Sequence, residues 1–193
     1  MIELVLGALG GVFALFGGGT LLARGLMERR GQYLHDHGMP VQTEFVRTVP
    51  RCFERSWAQG HVTGSAWLLN AARDACLLTH HKKLNKWLQP GGHADGDPDI
   101  LRVALREAEE ESGIAGIIAP KPEIFDVDIH WIPDNPKEKG HWHYDVRYLL
   151  LAPPGADFIV SEESHALAWV PKRLLTQYTT ERSMLRLGEK WAL

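Results

Sequence analysis

The sequence predicts an α/β sandwich, and three observations lead to it. An amphipathic helix over residues 97–113 sits near the middle of the chain. Segments rich in β-branched and aromatic residues lie on both sides of it, and a further helical segment follows the last of them. A helix with one apolar stripe needs a sheet to cover it, so strands on both flanks indicate a layered α/β fold. The chain has 193 residues, 45% hydrophobic and 23% charged, the balance of one globular core with a short appendage.

The elements follow in order. The stretch from residue 45 is a helix or a loop. Residues 61–69 mix β-branched and apolar types and read as a strand, 75–79 as a second and 86–89 as a short third. Beyond the central helix, residues 123–131 and 141–151 are both rich in β-formers and read as a pair. The polar loop 134–140, with Pro136, joins them. Residues 166–170 make a last short strand, and Pro171 opens a helix that runs through residue 177. No internal repeat or low-complexity block interrupts this order.

The central helix carries the chemistry. Asp97 suits its N-cap and Pro98 its first helical position, where a missing N–H costs nothing. Gly113 is a left-handed stop. Leu101, Ala104, Leu105 and Ala108 fall at i, i+3, i+4 and i+7 and form the apolar stripe. Glu107, Glu110 and Glu111 share a neighbouring face, while Glu109 points away to solvent. Like charges on one face repel by about a few tenths of a kcal/mol per pair. Glu110 and Glu111 also lie in the last turn, where the helix dipole disfavours an anion by roughly 0.3–1 kcal/mol. Arg106 relieves this only in part, as an i,i+4 partner of Glu110. A bound cation reverses both penalties, and oxygen ligands of this kind suit magnesium or manganese.

Residues 92–114 read GHADGDPDILRVALREAEEESGI, and this stretch resembles the Nudix box, G-x5-E-x7-R-E-U-x-E-E-x-G-U with U aliphatic. The runs HHKKLNKWLQPGGHADGD (80–97), CFERSWAQGHVTGSAWLL (52–69), HYDVRYLL (143–150) and ESHALAWVP (163–171) are similar to a bacterial subgroup of the same family, so the likeness covers roughly residues 42–185. It implies an α/β/α sandwich with a mixed sheet. It implies a metal held by Glu107, Glu110, Glu111 and the carbonyl of Gly92, with Arg106 orienting the glutamates. It implies magnesium as cofactor, with manganese an alternative. Glu110 or Glu163 then serves as base, with Glu162 as the fallback for Glu163. One position departs from the pattern: Pro98 stands where the box has its first glutamate, with Asp97 and Asp99 flanking the gap.

The activity implied is hydrolysis of a pyrophosphate bond in a nucleoside diphosphate linked to another group. Two alternatives keep the same fold: a catalytically weak nucleotide sensor, and an isomerase of isoprenoid diphosphates. The intact glutamates speak against the first. Neither cysteine lies in a recognisable site for the second. No GxSxG motif supplies a nucleophilic serine. Dimerisation is common among relatives and is not readable from this chain.

The chain has ten histidines. His80, His81, His93, His130, His141 and His143 fall near site-facing segments, and His141 and His143 share one face of a strand. Such a group can bind substrate phosphates, shuttle a proton or take a second metal. His93, His130 and His143, with Asp145 beside the last, are the candidate substrate-binding residues. A dedicated zinc site is not expected, since no HExxH or HxxxH pair occurs. Lys82, Lys83 and Lys86 read as surface lysines, and the tryptophans at 67, 87, 131, 142 and 169 as core or rim.

The formal charge of −3 gives no general basic field for extended nucleic acid, although a local site could still take an exposed nucleotide end; a small-molecule nucleotide partner is what the family resemblance implies. Cys52 and Cys76 make no CxxC pair and read as buried small hydrophobes in a reducing compartment. Residues 4–23 carry no charge, although six of them are glycine. This run is either a membrane anchor or the product of a start placed too early, with Met27 the alternative start. Arg24, Arg29 and Arg30 follow it, which for an anchor places the rest of the chain in the cytoplasm. The expected division is therefore 1–30, a hydrophobic segment, and 31–193, the catalytic domain.

Overall fold

The computed structural model describes residues 38–136, 138–162 and 164–191. The hydrophobic run 4–23 and the boundary near residue 30 lie outside the described residues. Among those described, no helix is long and apolar enough to cross a membrane.

The chain enters through α1 (Gly38–Thr48) and continues into strand β1 (Gly60–Leu69). Three strands follow: β2 (Ala75–His81), β3 (Lys86–Leu88) and β4 (Gly91–His93). The central helix is α2 (Ile100–Ser112). After it come β5 (Asp126–Ile132), β6 (His141–Leu151) and β7 (Ser164–Pro171). A 3-10 turn (Lys172–Leu174), α3 (Leu175–Tyr178) and α4 (Arg182–Lys190) complete the order.

Among the described residues the sheet is mixed and has seven strands. β1 runs parallel to β6 from Gly60↔Trp142 to Leu69↔Leu151, while β5 pairs antiparallel with β6, and β4 antiparallel with β1. β2, β3 and β7 form an antiparallel group that meets β1 at Leu69↔Cys76.

Every residue of β1 is buried, so both of its faces are covered. Val62, Ala66 and Leu68 join the core under α2 with Val103, Ala104, Ala108, Val146 and Leu150. Trp67 and Leu69 join the opposite core with Met184, Leu187 and Trp191 around α4. α1 lies on the α2 side, where Phe45 stacks on Tyr144 with ring centroids 3.7 Å apart.

Several expectations shift. The N-cap of α2 is Asp99, which accepts from the Arg102 amide at 3.1 Å, and the helix starts at Ile100. Asp97 instead accepts from the Asp99 amide (2.9 Å) and from the Arg102 guanidinium, and Pro98 precedes the cap. The buried positions of α2 are Ile100, Val103, Ala104, Ala108 and Ser112; Leu101 and Leu105 are partly buried and pack against them. Gly113 does end the helix in the left-handed region, at φ 68°. Residues 91–93, where the sequence reading places no element, pair with β1 as a strand. The later strand starts at Asp126, three residues after the expected boundary. The helix expected after Pro171 is present as the 3-10 turn with α3, and α4 extends beyond it.

Candidate active site

β4 and α2 build the acidic half of the site. Gly64 of β1 lies against the first turns of α2: a Cβ there would meet Val103 Cγ1 at 2.9 Å and the Ile100 carbonyl at 3.1 Å. This close approach sets α2 across β1 and β4. A Cβ on Gly92 would fall 2.3 Å from Glu107 Oε2, so that carboxylate rests on the bare backbone of β4. Glu111 Oε1 accepts from the Gly91 amide at 2.9 Å. Arg106 Nη2 donates to Glu107 Oε1 (2.9 Å) and to the His93 carbonyl (3.0 Å). Arg106 therefore pairs with Glu107, where Glu110 was the expected partner. Burial pushes the Glu107 carboxyl up; Arg106 opposes this, and Glu110 and Asp95 add to it. Glu110 is exposed in the same turn. Glu109 is also exposed, and its carboxylate accepts from the Gly116 amide at 3.2 Å.

The donor set fits a hard divalent cation. Glu107, Glu110 and Glu111 offer carboxylate oxygens on one helix face, and Gly92 leaves room for a ligand where a side chain would stand. The Glu107 carboxylate is taken from water beside two other acids, which a cation would stabilise.

The opposite sheet face is a polar grid. In register across β1, β6 and β5 run His61–His143–His130, then Thr63–Asp145–Asp128, then Ser65–Arg147–Asp126. Asp145, a candidate substrate residue, is buried within it. Its oxygens accept from Thr63 (2.9 Å), Ser65 (2.8 Å), Gln89 (3.4 Å) and Arg147 (2.7 Å). Asp126 is 2% exposed on its side chain and is gripped by Arg186 (2.6 Å), Lys190 (2.5 Å) and Arg147 (3.4 Å). α4 thus closes the lower end of the face with basic side chains.

The upper end is a histidine row. His93 and His143 stand with ring centroids 5.2 Å apart, and His130 lies 5.5 Å from His143. His141 Nε2 is 3.1 Å from His143 Nε2, and its Nδ1 is 2.7 Å from the Lys139 carbonyl. Burial lowers the pKa of His143 well below the usual imidazole value, helped by His130, His61, His93 and His141. Burial also lowers that of His93, with Arg55 adding and Asp95 and Glu138 opposing.

The structure brings His93, His130 and His143 into one row, and His61, which the sequence does not single out, joins them. Burial takes His61 down to about 4, with His93 and His141 next in effect. Its signal was the parallel register that sets it opposite His143. Glu163 lies outside the described residues. Glu162 is exposed, and its backbone carbonyl accepts from Lys82 Nζ at 2.6 Å. Cys52 and Cys76 are free and buried, and burial pushes the Cys76 thiol up to about 12.

Residues 60–187 match the family pattern described as the NUDIX domain. A "Probable DHNTP pyrophosphohydrolase" of Lactococcus lactis is 34% identical over 88 residues, which is 45% of this chain and 52% of that protein. The chain thus spans about half the length of that relative. A Nudix hydrolase of M. smegmatis superposes with a TM-score of 0.51 at 18% identity, over 67% of this chain and 85% of the other. The E. coli dihydroneopterin triphosphate pyrophosphohydrolase gives 0.52 at 15%, over 67% and 93%. A MutT Nudix hydrolase of Burkholderia pseudomallei gives 0.50 at 24%, over 69% and 99%. At these identities the structural likenesses establish the fold.

Proposed function

The chain belongs to the Nudix family by its match over residues 60–187, and from that premise we propose that it is a metal-dependent pyrophosphohydrolase. The bond cleaved is a phosphoanhydride in a nucleoside diphosphate carrying another group. The observation that carries the reading is the Glu107 carboxylate seated on Gly92, with Glu110 and Glu111 on the same helix face.

Glu107, Glu110, Glu111 and the Gly92 carbonyl would hold magnesium, or manganese in its place. When bound, the metal supplies charge neutralisation for the phosphate oxygens and a more acidic water. The chain's own residues do the positioning. Arg106 holds Glu107 against β4 and so fixes one ligand. Water attacks one phosphorus, the bridging P–O bond breaks, and the proton leaves to a carboxylate. Glu110, exposed at the last turn, is our candidate for that base, with Glu163 as the second. His93, His130 and His143 are our candidates for substrate contacts from the histidine row, and Asp145 is held beneath them by Thr63, Ser65 and Arg147. The isomerase alternative needs a reactive thiol. Burial of Cys52 and Cys76 and the raised pKa of each argue against one.

The pterin triphosphate named for two of the similar proteins joins the substrate classes to be tried. Purified protein with magnesium should be offered ADP-ribose, dinucleotide polyphosphates, nucleotide sugars, oxidised nucleoside triphosphates and dihydroneopterin triphosphate. We expect a phosphate-containing product from at least one, abolished in Glu111→Gln. No product from any of them returns the nucleotide-sensor reading. An unchanged rate in the variant removes the site assignment.

A further inference from the structure

Three imidazoles converge from three strands on the sheet face opposite α2. His61 stands on β1, His93 on β4 and His143 on β6, and one ring nitrogen of each lies within 4.8 Å of the others. Backbone register fixes the convergence: His61 lies opposite His143, and Thr63, two residues on, lies opposite His93. His61 is 2% exposed, and among the described residues neither of its ring nitrogens has a hydrogen-bond partner within 3.5 Å, the backbone of Trp57 being a weak polar neighbour. Its polar neighbours Thr63, Ser65, Asp145 and Arg147 are all hydrogen-bonded. A buried imidazole without a partner, aimed at two others, calls for a ligand.

We propose that His61, His93 and His143 form a site for a divalent transition ion of the zinc class, separate from the carboxylate site. An all-imidazole set selects zinc, cobalt or nickel over magnesium. Tetrahedral bonds of about 2.0–2.1 Å set the nitrogens about 3.4 Å apart, so the widest separation allowed by the 4.8 Å limit closes by about 1.4 Å, shared between two side chains. The outer shell is built. The Lys139 carbonyl can only accept, so His141 carries its proton on Nδ1 and offers a lone pair at Nε2. With His141 neutral, His143 donates from its own Nε2 across 3.1 Å, an outer-shell contact that orients its ring. Three protein ligands leave a coordination position open to water or a substrate oxygen. One short strand therefore serves two sites: Gly92 faces Glu107, and His93 faces the histidines. The proposal stands whether or not the hydrolase reading holds.

The test uses the full chain, stripped with a chelator and held in excess magnesium to satisfy the carboxylates. Cobalt(II) is titrated against visible absorption, and zinc by calorimetry. One equivalent of each should bind, cobalt giving the strong absorption of a low-coordinate nitrogen site. Glu111→Gln should keep this signal. His61→Gln and His93→Gln should weaken binding by at least the roughly 10–100-fold that loss of even a supporting group costs a metal site. If His61→Gln does not fold, His93→Gln, at a partly exposed position, decides alone. Wild-type protein that takes neither ion overturns the proposal. So does equal affinity in the folded histidine variants, or a signal lost in Glu111→Gln but kept in them.

Discussion

The amide of Gly91 donates to Glu111 Oε1 across 2.9 Å, tying the first residue of β4 to the last turn of α2. A glutamine at 111 keeps an oxygen acceptor for that amide and removes the charge. Glu111→Gln should therefore melt close to wild type while its magnesium-dependent turnover falls by about 2–3 orders of magnitude, equivalent to several kcal/mol of lost charge stabilisation. Thermal melts and product assays on the same preparation check this. A large fall in Tm would make the residue structural.

Gly92 and Gly64 separate function from packing. A Cβ on Gly92 meets the flexible end of Glu107, so Gly92→Ala should cost less than about 1 kcal/mol of stability. Displacing that carboxylate by about an ångström should cost turnover about 100-fold. Gly64→Ala meets Val103 and the Ile100 backbone instead and should destabilise by about 1–3 kcal/mol. Urea denaturation of both variants tests the contrast; equal stability losses would contradict it.

Asp126 should be among the costliest single side chains to neutralise. Its carboxylate is buried against Arg186, Lys190 and Arg147. Asp126→Asn leaves those cations short of a counter-charge and should cost about 3–5 kcal/mol. A loss below about 1 kcal/mol by denaturant titration would show that α4 docks without this network.

Asp128 gives the fold an acid-sensitive element. Burial pushes its carboxyl up, but Arg147, His130 and Arg186 together outweigh burial and hold it well below the usual range. A depressed carboxylate contributes stability that is present above its unfolded value, about 3.9, and is lost as pH falls further. Asp128→Asn should be less stable at neutral pH and should lose less between pH 5 and 2.5. Parallel stability–pH curves for the two proteins would refute this.

Local signals in the sequence are legible, and those that depend on long-range pairing are not. The central helix and its Gly113 stop depend on neighbours along the chain, and both are found where expected. The N-cap moved from Asp97 to Asp99 because both residues flanking Pro98 are capping types. Arg102 separates them: its amide goes to Asp99, its guanidinium to Asp97. β4 escaped notice because a three-residue strand with two glycines has no periodicity to read. α4 escaped because Arg186, on its inner face, is buried against Asp126, and charge at that position hides the apolar stripe. His61 escaped because parallel pairing leaves no turn signature between its partners.

That parallel pairing also sets an order of assembly. Thr63 and Asp145 bond across 82 residues of chain, and β1 has no other long partner along its length. The entropy of closing so long a loop comes before any contact repays it. A chain emerging from the ribosome can form α2 and the β2–β3 hairpin early, yet it holds no finished polar face until β6 has been made. β1, with both faces apolar at its C-terminal half, must wait unpartnered for that strand. Slow synthesis between residues 70 and 140, or a truncation before residue 151, should therefore show itself as aggregation rather than as a partly active enzyme.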